Sequence, residues 1–256
     1  MKRNILIGLI ALVSGALTAG VALADDSTSE TRPIDANVTK VSLGGMATLQ
    51  LRQGPTASLV IYGDSDTLKQ VTTVQSGDTL KIDMSRGVHF FSLHAKSIRI
   101  VMTLPKLTEF TSTGIGSAQL NDFSGDDLLL DVTGAGDVNA ATHYKHVTAR
   151  SSGVASINLN DGDSDSIDVS LPGAGHVLLV GQTKTLTSHL NGVGSMDAKD
   201  LKADTVNSYL NGVGSIKVYA KETAIMNLSG VGSATVYGNP TVRKAVVNGL
   251  GKVTWE

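Results

Sequence analysis

A chain of 256 residues with a net charge of −2 and no basic run offers no surface of the kind that binds nucleic acid. It contains no cysteine, so disulfides and thiolate metal sites are excluded. With 4% aromatic residues and 28 glycines, the composition suits thin stacked strands better than one large interlocking core.

Residues 1–24 have the features of a secretory signal peptide. Lys2 and Arg3 precede an apolar run, and Ala22-Leu23-Ala24 supplies small residues at the positions that signal peptidase reads. We expect cleavage before Asp25 and export, with membrane contact only through the signal peptide before cleavage. The alternative is a retained membrane anchor, although the apolar run is short for a bilayer span.

The next two regions are predicted to be a flexible lead and a set of strands. Residues 25–37 are polar and contain Pro33, which indicates the flexible lead. From residue 38 to residue 106 apolar and polar residues alternate, which predicts strands with one buried face. Turn-forming residues separate them, as in Gln75-Ser76-Gly77-Asp78. We expect this N-terminal β region to continue or cap the rest of the domain.

One segment of this region, between Ser85 and Lys96, breaks the alternation. It carries two adjacent aromatic residues flanked by histidines, namely His89, Phe90, Phe91 and His94. A pair of aromatics on a loop is typical of a recognition tip. The alternative, which we favour, is a lid that folds over the open end of the strands.

A Gly-x-Gly sequence recurs throughout residues 107–256. Its first glycines are 18 to 20 residues apart, which is the signature of a repeat architecture. With the first glycine as position 0, positions +1 and +4 are apolar in every copy, and position −2 is apolar in most. The first glycines of the eight copies are Gly114, Gly134, Gly153, Gly173, Gly192, Gly212, Gly230 and Gly249.

These repeats predict an all-β fold. The spacing of two within each half of a copy indicates two short strands that meet at the glycine corner. One copy cannot bury its apolar column alone, but stacked copies can. We therefore predict a parallel β-solenoid of about eight coils, roughly 40 Å long at about 4.8 Å per coil. The repeats keep no strict six-residue sub-period, so we favour the right-handed form over the left-handed hexapeptide helix.

Glycine at a corner has two physical explanations, a positive φ or a close approach of two backbones. The first glycine is present in all eight copies, whereas the second is replaced by Ala155 once. We therefore predict that the first needs the special φ and the second only small size. We expect the residue between them, such as Val193, to face the core. Three asparagines precede a first glycine and are expected to stack as an amide ladder, interrupted by Ser229, namely Asn191, Asn211 and Asn248.

Several of these segments occur in a recognisable order. A strand, Leu59-Val60-Ile61-Tyr62-Gly63, is followed by Gly77-Asp78-Thr79-Leu80-Lys81-Ile82, by the turn Leu104-Pro105-Lys106-Leu107 and then by the glycine corners. Over roughly residues 38–253, this order resembles the bacterial family "putative auto-transporter adhesin, head GIN domain". The resemblance implies an exported β-solenoid similar to pectin-lyase-like folds, located in the periplasm or on the cell surface. It also implies a role in surface interaction, and it brings no catalytic residues with it.

The column after the second glycine contains the residues best suited to catalysis. Asp137 and His176 both belong to it, but two coils apart, or about 10 Å. That separation exceeds direct hydrogen-bond reach, so they do not form an acid–base pair. We therefore favour a non-catalytic protein. The alternative is a polysaccharide lyase or hydrolase on a pectin-lyase-like frame.

Two further groups have the spacing of metal ligands. Asp161, Asp163 and Asp165 alternate as in calcium loops, but they lack the closing bidentate glutamate and also fit an acidic, soluble turn. His143 and His146 have no evident third ligand, and two solvated turn histidines are the simpler interpretation. We therefore predict no metal and no cofactor, with the three aspartates as a weak calcium candidate.

The last apolar residue is Trp255, the only tryptophan, and we expect it to cover the last coil. Together these observations predict a non-catalytic exported β-solenoid that acts as a binding or adhesion-type scaffold in the cell envelope. The expected partner is a glycan or another envelope protein.

Overall fold

The computed structural model of the protein describes residues 28–84 and 98–256. It is 78% strand and forms a β-solenoid of stacked parallel coils, as the repeats predict, with about seven turns where the repeats predict about eight coils. No described helix is long and apolar enough to span a bilayer. The hand of the coil stays a prediction.

The N-terminal region consists of short strands and one helical turn. Asp64 caps that turn by accepting hydrogen bonds from the backbone amides of Asp66 and Thr67. The elements in order are β1 (Thr28–Arg32), β2 (Lys40–Leu43), β3 (Met46–Gln53), β4 (Ser58–Gly63), α1 (Ser65–Leu68), β5 (Val71–Ser76), β6 (Thr79–Met84), β7 (Ile98–Leu104) and β8 (Glu109–Ser112).

The repeats form longer strands that run from one glycine corner to the next. The strands are β9 (Ile115–Val132), β10 (Ala135–Ser151), β11 (Val154–Leu171), β12 (Ala174–Leu190), β13 (Val193–Leu210), β14 (Val213–Leu228), β15 (Val231–Tyr237), β16 (Val242–Val247) and β17 (Leu250–Trp255). From β9 to β14 each strand pairs in parallel with the next along the chain, and most bulges fall at the turn opposite the corner. The last strands are shorter: β15 and β16 both pair with β14, and β17 pairs with β15.

The first strands join the same stack. β3 pairs with the first half of β9, and β8 lies between β2 and the second half of β9. Gly44-Gly45 therefore occupies a ninth corner, one coil before Gly114. Five strands of the N-terminal β region thus continue the parallel stack, namely β2, β3, β6, β7 and β8, whereas β1, β4 and β5 pair antiparallel.

The core consists of columns of inward-facing side chains, one from each coil. The column at +4 is buried from Ala118 to Ala234, and the apolar residues at −2 are buried from Val132 to Leu228. Two serines, Ser188 and Ser208, are also buried and hydrogen-bond to each other at 2.8 Å between their Oγ atoms. The predicted inward columns at +4 and −2 are thus confirmed.

The reason for glycine at the corner differs from the prediction. A Cβ added at any of the eight first glycines would lie 1.8–2.3 Å from the carbonyl oxygen of the glycine one coil before. None of these eight has a φ in the left-handed region, whereas the second glycine does in three copies, for example Gly136 at +147°. The predicted positive φ at the first glycine is therefore wrong, because the close approach of stacked backbones excludes a side chain there.

The predicted flexible lead is wrong over residues 28–32. These residues form β1, which pairs antiparallel with β4. The guanidinium of Arg32 donates to the backbone carbonyls of Leu68 and Val71, which fixes this strand against α1 and β5. The sequence gives no apolar alternation here because β1 is held by backbone pairing and polar contacts rather than by burial.

The last coil is only partly covered. Trp255 packs against the core as predicted, and Arg243 lies over its ring at 5.6 Å. All six residues of β16 are nevertheless exposed, including Val242 and Val247. Trp255 therefore covers part of the apolar surface of this coil and not the whole of it.

Candidate functional site

The most unusual surface of the molecule is a line of exposed aliphatic side chains at the glycine corner. They occupy position +1 of each coil and stand in register through all the parallel pairings. Eight steps of about 4.8 Å give the line a length of about 38 Å. We call it the aliphatic ridge, and it comprises Met46, Ile115, Ala135, Val154, Ala174, Val193, Val213, Val231 and Leu250.

The prediction that this column faces the core is wrong. Its larger side chains retain 46–80% of their surface in water, with Val154 at 68% and Leu250 at 80%. The alternation of inward and outward residues continues through the corner, so that even positions face the core and odd positions face solvent. That parity was readable in the sequence, and it places +1 outside.

Neutral polar columns border the ridge. In the eight repeat copies, the column before the first glycine consists only of threonine, serine, proline and asparagine. On the other side, at +3, most residues are serine or threonine, and the charged exceptions include Asp137 and Lys252. One step of the predicted amide ladder is present in the first column, where the Nδ2 of Asn211 donates to the Oδ1 of Asn191 at 2.9 Å. The ridge therefore has an apolar crest and nearly uncharged flanks.

The column at +3 also holds the residues best suited to catalysis. Asp137, Ser156 and His176 stand on consecutive coils. The imidazole Nδ1 of His176 lies 2.8 Å from the Oγ of Ser195 on the following coil, so the histidine faces away from Asp137. A catalytic triad needs a carboxylate that orients the histidine. Within the residues that the structure describes, no carboxylate is shown bonded to His176.

The three aspartates of the calcium candidate do not converge. Asp161 is fully buried, Asp163 is exposed, and Asp165 forms an ion pair with Lys184 at 2.5 Å. No group of three or more potential metal-binding side chains occurs in residues 28–84 and 98–256. The turn contains carboxylates in three different environments rather than one prepared cavity.

The buried member of this group is part of the core. The Oδ1 of Asp161 accepts from the hydroxyl of Thr142 at 2.8 Å and from the backbone amide of Tyr144 at 3.1 Å, whereas its Oδ2 has no partner. Burial raises the pKa of Asp161 above its ordinary value, although the bond from Thr142 opposes this shift. Burial likewise raises the pKa of Tyr144, whose hydroxyl donates to the carbonyl of Leu107 at 2.5 Å.

The remaining candidates lie apart from one another or outside the described residues. His143 and His146 are exposed, and the Nδ1 of His146 lies 3.1 Å from the Oγ of Ser166, as expected of solvated turn histidines. The segment with His89, Phe90, Phe91 and His94 lies outside the described residues, as does the predicted signal peptide. Neither the lid nor the recognition tip is therefore tested.

The fold is shared with solved structures of bacterial proteins. A "putative adhesin" from Bacteroides fragilis is 22% identical, with 91% of this chain and 98% of that chain covered and a TM-score of 0.68. A "putative lipid binding protein" from Parabacteroides distasonis is 20% identical, with the same coverage and a TM-score of 0.80. A "putative adhesin" from Parabacteroides merdae is 17% identical, with 91% and 97% covered and a TM-score of 0.73. At these identities the likeness establishes the fold alone.

A comparison with curated proteins finds no match. The sequence itself matches one family over residues 37–240, which is most of the chain and includes seven of the eight glycine corners. The resemblance noted from the motifs is thereby confirmed. The chain belongs to the family described as "Putative auto-transporter adhesin, head GIN domain".

Proposed function

We propose that the chain is an exported, non-catalytic binding module of the adhesion type in the bacterial cell envelope, and that the aliphatic ridge is its contact surface. The observation that carries the proposal is the exposure of seven large aliphatic side chains in one line of nine apolar residues. Such side chains are unfavourable in water, and contiguous exposed apolar surface is typical of an interaction site. Membership of an adhesin family supports the same function.

The partner that fits the ridge best is a lipid surface. A convex ridge does not enclose a small ligand, whereas a planar apolar medium can receive all nine residues at once. The neutral flanks favour this partner, because few charges lose their hydration when the ridge is inserted. The likeness to a "putative lipid binding protein" agrees with this choice. An envelope protein with a matching apolar groove is the alternative occupant.

The enzymatic alternative, a polysaccharide lyase or hydrolase, has less support. The nearest approach to a catalytic arrangement is the pair formed by His176 and Ser195, which stands on an open strand face. General acid–base catalysis on a sugar needs two groups placed on either side of the bond that breaks. Asp137, the nearest carboxylate of that column, lies two coils from His176, with Ser156 on the coil between them.

Flotation with phospholipid vesicles tests the proposed function. Phosphatidylcholine vesicles provide a neutral surface, and vesicles with one quarter phosphatidylglycerol provide an anionic one. We expect comparable binding to both, with little dependence on salt, because the ridge contributes apolar rather than charged contacts. The triple variant V154S/V193S/V213S removes three exposed crest residues. At about 1 kcal/mol for each half-buried valine, it should bind about 100-fold more weakly.

The control is a second triple variant, V74S/V242S/V246S, which changes three exposed valines that lie off the ridge. It should bind vesicles like the wild-type protein. Equal losses in both variants would contradict the assignment of the ridge. No vesicle binding by the wild-type protein would overturn the lipid partner. In that case, binding to whole cells would be compared next. A loss in the ridge variant but not in the control variant would keep the ridge as the contact surface and indicate a protein partner.

A further inference from the structure

A shallow hollow of about 210 Å³ lies on the outer strand face away from the ridge, at positions +5 and +7 of neighbouring coils. It exists because Ala141 stands in register between Asn121 and Asn160, which have longer side chains. One side is formed by Asn139 and Asn158, and Leu178 and Val180 border the end towards the next coil. The hollow therefore combines an apolar floor with four carboxamide groups.

Most of these carboxamides have hydrogen-bonding capacity to spare. The Nδ2 of Asn158 donates to the Oδ1 of Asn139 at 2.8 Å, which fixes the two side chains against each other. That bond leaves the amino group of Asn139 and the carbonyl of Asn158 free for a ligand. Asn121 and Asn160 make no side-chain hydrogen bond with the part of the chain that the structure describes. Each exposed carboxamide can donate and accept at the same time.

We propose that this hollow binds a neutral sugar residue of a glycan. Hydroxyl groups both donate and accept, so they match carboxamides, and the aliphatic floor matches the C–H face of a sugar ring. None of the lining residues is charged, so an acidic sugar would find no counter-ion here. The volume is below the roughly 300 Å³ of a pocket for a drug-sized ligand, which fits one residue of a longer chain.

This site is separate from the aliphatic ridge and extends the proposed function. The ridge occupies position +1, four to six residues before the hollow on the same strands. At about 3.3 Å per residue, the two surfaces are about 13–20 Å apart. A chain whose ridge contacted a membrane would therefore still present the hollow to solvent.

Binding to an array of immobilised neutral and acidic oligosaccharides tests the proposal, followed by titration calorimetry with the strongest neutral hit. The substitution Ala141→Tyr fills the hollow and leaves every carboxamide in place, and tyrosine is well tolerated on an exposed strand. We expect a loss of at least tenfold in affinity. Ala141→Ser keeps the hollow open and should bind like the wild-type protein. The double variant N139A/N158A should also lose at least tenfold.

The matched control for the asparagines is N207A/N227A, which removes two carboxamides from the strand face before the corner. It should bind like the wild-type protein. Binding of acidic glycans only, binding of none, or unchanged affinity in Ala141→Tyr would each overturn the proposal. Because the vesicle experiment uses different residues and a different probe, the failure of one proposal is distinguishable from the failure of the other.

Discussion

The substitution Gly192→Ala tests why the repeats keep glycine at the corner. The added Cβ would lie 1.8 Å from the carbonyl oxygen of Gly173 and 2.7 Å from that of Pro172. Ordinary contact begins at 3.4 Å, so the two coils would have to move apart by more than 1 Å. Two backbone hydrogen bonds join the coils here, from Val193 to Gly173 at 3.1 Å and from Gly192 to Leu171 at 3.0 Å. A shift of this size would break both.

The expected cost follows from these contacts. Two lost backbone hydrogen bonds contribute about 1 kcal/mol each, and forced overpacking adds about 1–3 kcal/mol. We therefore expect the free energy of unfolding to fall by about 3–5 kcal/mol, a large part of the stability of an ordinary domain. Chemical denaturation measures the loss. Hydrogen exchange locates it, because the amides of residues 190–195 should lose protection before those of distant coils.

Two other glycines separate crowding from backbone conformation. Gly77 has a φ of +61° and no atom within 4 Å of an added Cβ, so Gly77→Ala should cost only about 1–2 kcal/mol. At Gly63 the nearest atom to an added Cβ is 3.7 Å away and the φ is ordinary, so Gly63→Ala should change stability by less than about 0.5 kcal/mol. If Gly192→Ala unfolded with the same midpoint as Gly63→Ala, the close approach of coils would not be the reason for glycine.

Three further predictions concern buried polar groups. Tyr144→Phe leaves the carbonyl of Leu107 without its donor and should lower the free energy of unfolding by about 1–2 kcal/mol, and an unchanged denaturation midpoint would contradict this. Ser188→Ala and Ser208→Ala should each destabilise by about 1 kcal/mol while the double variant costs less than their sum, which a double-mutant cycle measures. Burial raises the pKa of Asp161 in the folded state above its ordinary value of 3.8. The buried carboxylate therefore costs nothing below pH 3.8, where it is protonated in both states, and it lowers the free energy of unfolding as the pH rises from 3.8 through the raised pKa. Asp161→Asn should therefore flatten the pH dependence of the denaturation midpoint in that window, and an unchanged slope would refute this assignment.

The stacking of coils was predictable because one physical requirement repeats eight times. The inward columns at +4 and −2, the turn at Gly77 and the amide ladder at Asn191 and Asn211 all follow from local chemistry repeated at a fixed spacing. Each copy confirms the others, so the fold did not depend on any single segment.

What the sequence concealed has physical reasons. An apolar residue at a corner can face either the core or the solvent. Only the alternation of the neighbouring positions distinguishes the two, so the prediction that Val193 faces the core was wrong. An invariant glycine fits both a special φ and a close approach, and the choice depends on atoms one coil away. β1 is polar because it is an edge strand held by Arg32, so it carries no hydrophobic signal. The hollow over Ala141 depends on side chains from four coils, which no local pattern brings together.

The regular parallel ladder also determines how the molecule would respond to mechanical force. The backbone hydrogen bonds between coils run along the axis, so tension applied along that axis loads them a few at a time instead of all together. The coils would then detach one after another from the loaded end. Each detached coil would release about 19 residues, or about 60 Å of extended chain. A protein built in this way can lengthen under load in uniform steps, which limits the tension on whatever is attached to its ends.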